Sequence, residues 1–414
     1  MVERRGGALR VFKQRDFRLI AIGNMVSQLG FWGQYVAVGW AARTLTRSDF
    51  LVTVAFAAQW LPSLLLSPIA GVLADRYDRR RLVLFGNLGM VLPPLAIGLL
   101  MQAHRISLAN LIALVLLGGA GQAFTQPAVA AFVPALVPPE DLHSAIALNA
   151  GMTNSTRVIG PALAGGLIAA WGVAWGFHVN AISFLAVAGA CVLVRSRPAR
   201  PARAPTSMLS DLRLGLVYTR RNRSVARLLL FLWIETFWMM HGALMPIFAR
   251  DVLHGDVSTY GLLSGAPGIG FVGAAVLTTM LTTGRQQRFA LVAGSFGASA
   301  GLLTLALSRH VALSVGGLGL FGLSYMTMST VITTMLVAAT EDEYRGRVLG
   351  VFWMGNVGII PINSMLGGAL SSVLGAPGTV LMCGVALVLF NTVFFSTGSL
   401  AVIRAGTDPH VAAA

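Results

Sequence analysis

Two ionisable side chains have residue types and positions that could carry proton chemistry. Arg157 lies roughly 12 residues into one long apolar segment and Glu235 roughly 10 into another, which a rise of about 1.5 Å per residue places near the middle of a bilayer. A charged group at that depth is costly, so both residues are candidates for a function. Glu235 can take up a proton when its site is dry and release it to water. A static ion pair, or a carboxyl group that reaches the membrane surface, is the structural alternative.

The elements that must position these residues are apolar helices. The 414 residues are 56% hydrophobic and only 11% charged, with a mean hydropathy of +0.74. Soluble domains carry about 25% charged residues. This chain has too few charged residues to cover a surface in water, so its surface is expected to face lipid. Segments long enough to span, at about 20 residues each, recur along the chain. Twelve helices are predicted, near 17–42, 50–74, 82–102, 107–133, 145–170, 174–194, 225–249, 257–281, 287–307, 311–337, 348–373 and 378–403.

A net charge of +15 could indicate nucleic-acid binding, but the positions of the basic residues argue against it. Of the 30 basic residues, 24 fall on one set of alternate loops and five on the other. The positive-inside rule then places both termini and the central loop in the cytoplasm, which requires an even number of spans. No nucleic-acid partner is expected, and the first helix is expected to be retained rather than cleaved as a signal peptide.

The two halves of the chain resemble each other weakly at an offset of 202 residues. Asn154 aligns with Asn356, and the acidic pair 140–141 aligns with 342–343. The predicted organisation is a six-helix bundle at 1–194, a basic cytoplasmic linker at 195–223 and a second six-helix bundle at 224–414. Such duplicated halves are typical of transporters that hold substrate near mid-bilayer and open alternately to each side.

The linker contains a predicted amphipathic helix. Leu209, Leu212 and Leu216 form an apolar stripe, and Arg213 and Arg220 lie beside it. This pattern predicts a helix on the inner membrane surface, and a solvated linker is the alternative.

The loop after the second helix carries the strongest family signature. Residues 71–81 read Gly-Val-Leu-Ala-Asp-Arg-Tyr-Asp-Arg-Arg-Arg, which resembles the loop motif of the major facilitator superfamily, except for Asp78 where that family usually has glycine. The resemblance covers nearly the whole chain and implies twelve transmembrane helices in two pseudo-symmetric bundles. It also implies that the charge cluster latches the two halves on the cytoplasmic side. The implied gate residues are Gly71, Asp75, Arg76, Arg79 and Arg80. The alternative is that the arginines only set the topology.

A second motif in the fifth helix indicates export. Gly160, Pro161 and Gly165 resemble the signature of drug and proton antiporters in this superfamily, although Ala164 and Thr156 stand where glycine is usual. Ordinary small-residue packing is the alternative. Segments 15–30, 127–145 and 209–218 are similar to the bacterial branch of enterobactin exporters, macrolide efflux proteins and multidrug exporters. That branch implies a multi-pass protein of the bacterial cytoplasmic (inner) membrane.

Seven residues in three helices are candidates for the substrate cavity. The superfamily resemblance places the first and fourth helices at a central cavity, and Trp238 and Met239 share a helical face with Glu235. Interhelical hydrogen bonds are the alternative role for the polar members. The cavity candidates are Asn24, Gln28, Tyr35, Gln122, Gln126, Trp238 and Met239.

These observations favour a secondary transporter over an enzyme. No nucleotide-binding loop is present, and His178, His241 and the two cysteines show no metal-ligand pattern, so no cofactor or metal is expected. The favoured function is proton-coupled export of hydrophobic or amphipathic small molecules, such as drugs or siderophores, by a monomer. An importer or lysophospholipid flippase on the same fold, and a membrane scaffold that does not transport, are the alternatives.

Overall fold

A computed structural model describes residues 7–195 and 208–397. The side chains of residues 7–9, 67–68, 71–76, 131, 139, 143 and 208–211 lie outside this description. The described part is helical and contains no strand. In chain order the helices are α1 (Gly7–Lys13), α2 (Arg15–Leu45), α3 (Asp49–Ala57), α4 (Leu61–Arg76), α5 (Arg79–Gln102), α6 (Leu108–Phe132), α7 (Leu142–Trp171), α8 (Val173–Leu193), α9 (Met208–Arg221), α10 (Arg223–Phe237), α11 (His241–Ile247), α12 (Val257–Thr279), α13 (Gly284–Leu307), α14 (Val311–Ala338) and α15 (Arg345–Ser396).

Eight helical segments of the described part are long and apolar enough to cross a membrane. Helices α2 and α7, at 31 and 30 residues, have sufficient length as well. The all-helical membrane class is confirmed, and the count of twelve spans stays a prediction. Many large apolar side chains point outward, including Leu92, Phe289 and Val373. Such surfaces suit lipid, because helices in a membrane satisfy their own backbone and need no polar exterior.

The predicted spans agree with the helices to within a few residues, but two of them are interrupted. Residues 58–60 separate α3 from α4, and residues 238–240 separate α10 from α11. Helix α15 holds two predicted spans joined at Gly375 (φ 71°, ψ 162°). Gly172 joins α7 to α8 with similar dihedrals (φ 92°, ψ 164°). Positive φ favours glycine at both joints, which occupy corresponding places in the two halves of the sequence.

The chain divides into two compact units. Unit 1 comprises residues 1–46 and 58–208, and unit 2 comprises residues 47–57 and 209–414. In unit 1, α2 packs against α7 and α8, α5 packs against α6 and α8, and α4 packs against α6. In unit 2, α14 packs against α12 and α13, and α15 packs against α3 and α13. The short helix α3 therefore belongs to unit 2, where the Ser371 hydroxyl donates to Asp49 Oδ2 at 2.5 Å.

Candidate functional site

Glu235 is buried inside unit 2. It lies near the end of α10 and is 1% exposed, and its Oε1 atom has no hydrogen-bond partner in the described structure. Within the described part of the chain, no salt bridge reaches this carboxyl group. Phe231, one turn earlier on α10, packs against the rings of Phe390 and Phe394 at 5.5 and 4.5 Å between centroids. The carboxyl group therefore lies beside an aromatic cluster that excludes water.

Asn391 on α15 is the polar neighbour of Glu235. Its side chain is fully buried, and neither its amide nitrogen nor its amide oxygen forms a hydrogen bond of ordinary geometry. Sequence analysis missed Asn391, and the available signal was an asparagine inside an otherwise apolar run. An unpaired buried amide is costly, so Asn391 is a further candidate for the site.

The break in the helix follows directly after Glu235 and is stabilised by side chains. Asn363 Nδ2 donates to the Thr236 carbonyl at 3.0 Å, and the Met239 amide donates to the same carbonyl at 3.1 Å. The Thr236 hydroxyl donates to Asn356 Oδ1 at 3.1 Å and lies 3.2 Å from the Tyr325 hydroxyl. A side chain inserted into the backbone ladder accounts for such a kink.

The cavity candidates of unit 2 lie in this break. Trp238 and Met239 are both half-buried, and the Trp238 ring meets Phe237 edge-on at 5.6 Å. The buried His241 ring contacts Phe321 at 4.5 Å. No group of three or more metal-ligating side chains occurs among the described residues.

Four cavity candidates of unit 1 line one small polar pocket. Asn24 and Gln28 come from α2, and Gln122 and Gln126 come from α6. Asn87 on α5, which sequence analysis did not select, lies in the same pocket. The cavity volume is about 30 Å³, which is room for a water molecule or one functional group.

A second pocket of about 10 Å³ adjoins the first and shares Gln122 with it. It is lined by Gln34, Gln59 and Asn180, none of which sequence analysis selected, although amide residues in apolar segments were the available signal. Asn180 Nδ2 donates to Gln34 Oε1 at 2.7 Å, whereas both polar atoms of the buried Gln59 lack a partner within the part of the chain that the structure describes. Tyr35 lines neither pocket, and its ring packs against Trp32 at 5.0 Å.

Arg157 lies on an exposed face of α7 in unit 1. Glu235 belongs to unit 2, so a pairing between the two stays a prediction. In the antiporter-like motif on the same helix, Pro161 and Gly165 are buried, and Gly160 packs against the side chain of Trp32. A Cβ atom on Gly160 would lie 2.7 Å from Cβ, Cγ and Cδ1 of that tryptophan, so the close approach of α2 and α7 requires glycine.

The predicted gate motif is described only in part. The side chains of Gly71, Asp75 and Arg76 lie outside the described residues, and Arg79 is half-buried at the start of α5. Arg80 donates from Nε to the Cys191 carbonyl at 2.8 Å and from a terminal nitrogen to the Val192 carbonyl at 3.1 Å.

Arg80 thereby caps the C-terminus of α8, where a cation complements the free carbonyls and the helix dipole. Asp78, the departure from the family pattern, is the N-cap of α5: its Oδ1 accepts from the Arg81 amide at 2.8 Å. An aspartate at this position satisfies one of the free amides that begin the helix.

The amphipathic helix α9 packs on unit 2. Leu212 and Leu216, which sequence analysis assigned to the membrane-facing stripe, pack against the apolar core of that unit. The Tyr218 ring stacks on Tyr344 at 4.5 Å, and its hydroxyl accepts from the Glu341 amide at 3.2 Å. Leu209 lies outside the described side chains.

Long apolar helices, one of them broken after a buried acid, are typical of multi-pass membrane transport proteins. The model of a family described as transmembrane secretion effectors matches residues 6–407. The chain belongs to this family of the major facilitator superfamily, and it is a transporter rather than an enzyme. Small-molecule substrates and a membrane environment follow from this membership.

Several bacterial transporters are similar to the chain over most of their length. YfiS of Bacillus subtilis, a transporter of the major facilitator type, is 25% identical over 403 residues, which is 92% of either chain. Macrolide efflux protein A of Streptococcus pyogenes is 23% identical over 359 residues, covering 83% of this chain and 86% of that protein. The enterobactin exporter EntS of Shigella boydii is 26% identical over 387 residues, covering 91% and 90%.

The fold is also that of solved transporters. A crystal structure of a bacterial homologue of the human lysosomal transporter Spinster aligns with a TM-score of 0.76 at 13% identity, over 96% of this chain and 99% of that chain. At this identity the likeness concerns the fold alone. It confirms the predicted fold class, major facilitator, apart from the count of twelve spans.

Proposed function

We propose that the protein is a proton-coupled exporter of hydrophobic or amphipathic small molecules that works by alternating access. The observation that carries the proposal is Glu235, a buried carboxyl group at membrane depth with an oxygen atom that lacks a partner. Ionised carboxylates are expensive in such a place, so a proton is held while the site is dry and released when water enters. Protonation then biases which side of the transporter is open, because a group with different free energies in two states shifts their populations.

The helix break after Glu235 supports this coupling. Thr236, Trp238 and Met239 lie where α10 gives way to α11, and Asn363 holds one of the freed carbonyls. Discontinuous helices commonly form substrate and ion sites near the bilayer midplane of transporters. Uptake of a proton at Glu235 is therefore transmitted to residues that are candidates for substrate contact.

The proposed substrate class is supported by the linings of the two pockets of unit 1 and by the names of the relatives. The two pockets are lined by carboxamides and by the rings of Phe31 and Phe184, and none of their lining side chains is charged. Such walls suit neutral groups that form hydrogen bonds on an apolar frame. Relatives are named for macrolide efflux and enterobactin export, so drugs and siderophores are the first compounds to test.

The proposal also includes the oligomeric state, the topology and the roles of the cytoplasmic loop and of Arg157. The protein is a monomer of the bacterial inner membrane with both termini in the cytoplasm, and residues 1–194 and 224–414 form its two halves. Asp75 and the arginines of segment 71–81 latch the cytoplasmic side, and Arg157 modulates the charge of the cavity. Substitution Arg157→Gln is expected to slow transport, whereas Arg157→Lys keeps the charge and much of the rate.

The experiment that tests the proposal uses purified protein in liposomes with an imposed pH gradient. Accumulation of a macrolide, a catecholate siderophore and a lipophilic cation is measured together with proton flux. Glu235→Gln is expected to abolish accumulation driven by the gradient and to preserve exchange without a gradient. Glu341→Gln is the matched control, because Glu341 is exposed between α14 and α15.

The outcomes separate the candidate functions. Gradient-driven transport that persists in Glu235→Gln contradicts proton coupling through this residue. In oriented membrane vesicles, accumulation in right-side-out vesicles rather than inverted ones would establish import instead. Movement of lysophospholipids alone would establish a flippase.

A further inference from the structure

We propose that Asn391 is the residue that positions the Glu235 carboxyl group and exchanges hydrogen bonds with it as the carboxyl group gains and loses its proton. The inference rests on the proposed function of Glu235 and adds a second residue to it. Asn391 lies on α15, 156 positions further along the chain. Helix α15 packs against α10, Phe390 beside Asn391 contacts Phe231 one turn before Glu235, and the buried Asn391 amide is a neighbour of the acid.

The chemistry of an amide suits both states of the acid. A protonated carboxyl group donates one hydrogen bond and accepts at its carbonyl oxygen, whereas a carboxylate only accepts. The Asn391 side chain offers an acceptor at Oδ1 and donors at Nδ2, so rotation about its terminal torsion serves either state. A hydrophobic residue could not form hydrogen bonds with either protonation state of the acid. A lysine or arginine would hold the acid in its ionised form.

Both groups are incompletely bonded in the structure. Among the described residues, Glu235 Oε1 and both polar atoms of Asn391 form no hydrogen bond of ordinary geometry, although the two side chains are neighbours. A small shift of α10 against α15 closes this contact. The break at residues 238–240, immediately after Glu235, is a hinge that permits such a shift.

The surroundings keep the pair dry and without competing charge. Phe231 packs against Phe394 and Phe395, which lie within one turn of Asn391. The titratable side chains near this end of α10 are Tyr325, whose hydroxyl is 3.2 Å from the Thr236 hydroxyl, and His241, whose ring contacts Phe321. Cys383 on α15 adds a buried thiol beside the Met240 backbone.

Helices α14 and α15 pack against α10. Helix α14 contains no charged residue. The other charged residues of α10 and α15 lie at the starts of those helices and are Arg223, Arg227, Arg345 and Arg347.

Infrared difference spectroscopy of the reconstituted full chain tests this positioning role. The wild-type protein is expected to show the carbonyl stretch of a protonated carboxyl group, and Glu235→Gln is expected to remove it. Asn391→Leu should move that band to higher frequency, because the carbonyl can no longer accept the hydrogen bond that we propose from the Asn391 amide. Thr392→Val is the matched control, since Thr392 is exposed on the same turn and bonds only to the Val388 carbonyl.

Transport kinetics give an independent measurement. Loss of one interior hydrogen bond that forms during turnover is expected to lower kcat about tenfold with little change in substrate KM. Asn391→Gln, which retains the amide, should recover part of the rate. Asn391→Ser is a smaller replacement that provides the same spectroscopic comparison if Asn391→Leu fails to fold.

These measurements test the roles of Asn391 and Glu235 separately. A carboxyl band that is present in the wild type and unshifted in both Asn391→Leu and Asn391→Ser overturns the role of Asn391 alone. If no band is sensitive to Glu235→Gln, the acid holds no proton and both proposals fall.

Discussion

The contact between Gly160 and Trp32 can be tested by a pair of substitutions on one helix. Gly160→Ala places a Cβ atom 2.7 Å from three atoms at the root of the Trp32 side chain, whereas the same change at Gly166 meets nothing within 4 Å. The tryptophan cannot swing aside easily, because its ring packs edge-on against Phe31 and Tyr35 at 5.7 and 5.0 Å. Both glycines lie in α7, so the gain in helix propensity, about 1 kcal/mol, is common to both variants.

The expected difference in stability between the two glycine variants follows from the cost of overpacking. Forcing a methyl group into a filled contact costs typically 1–3 kcal/mol, so Gly160→Ala should be less stable than Gly166→Ala by about 2 kcal/mol. In a unit of this size that difference corresponds to a shift in Tm on the order of 5 °C. Cys191 and Cys383 are buried free thiols, and a thiol-reactive dye therefore reports unfolding on heating in detergent.

Equal stability of the two glycine variants would contradict a steric clash between a Cβ atom at position 160 and Trp32. A double-mutant cycle gives a second check: Trp32→Ala removes the obstructing atoms, so the penalty of Gly160→Ala should largely disappear in that background. A penalty that survives would place its origin elsewhere in α7.

Three further substitutions test local interactions, each by thermal unfolding. Arg80→Ala leaves the last carbonyls of α8 without their cationic cap and should cost about 1–2 kcal/mol, whereas Arg81→Ala, whose exposed side chain makes no such contact, should cost little. Asp78→Ala removes the N-cap of α5 and should cost about 1 kcal/mol, and Asp78→Ser should recover most of it. Gln59→Leu replaces a buried amide that lacks partners and should raise the Tm. A lower Tm for Gln59→Leu would show that a bound water or other ligand satisfies that amide.

The sequence predicted the spans well and the breaks within them poorly. Helix α5 begins three residues before its predicted start and α12 begins at the predicted residue, because a run of apolar residues between polar loops reports directly on the membrane. The interruption at residues 238–240 contains no proline or glycine. The interruption is stabilised by the Asn363 amide, which comes from a different helix. The residues next to the break therefore give no sign of it in the sequence.

Hydropathy by itself therefore determined that this chain is a multi-pass membrane protein, and the motif of residues 71–81 indicated its superfamily. Only the tertiary structure decided which polar residues meet. It brought Asn391 into the neighbourhood of Glu235, placed Asn24 and Gln122 in one pocket, and placed Tyr35 outside both pockets. The physical reason is that lipid and protein interior are equally apolar, so periodicity along a span does not tell which face meets lipid and which meets another helix. The packing of helices that are distant in the sequence determines which face of each span meets lipid and which meets protein.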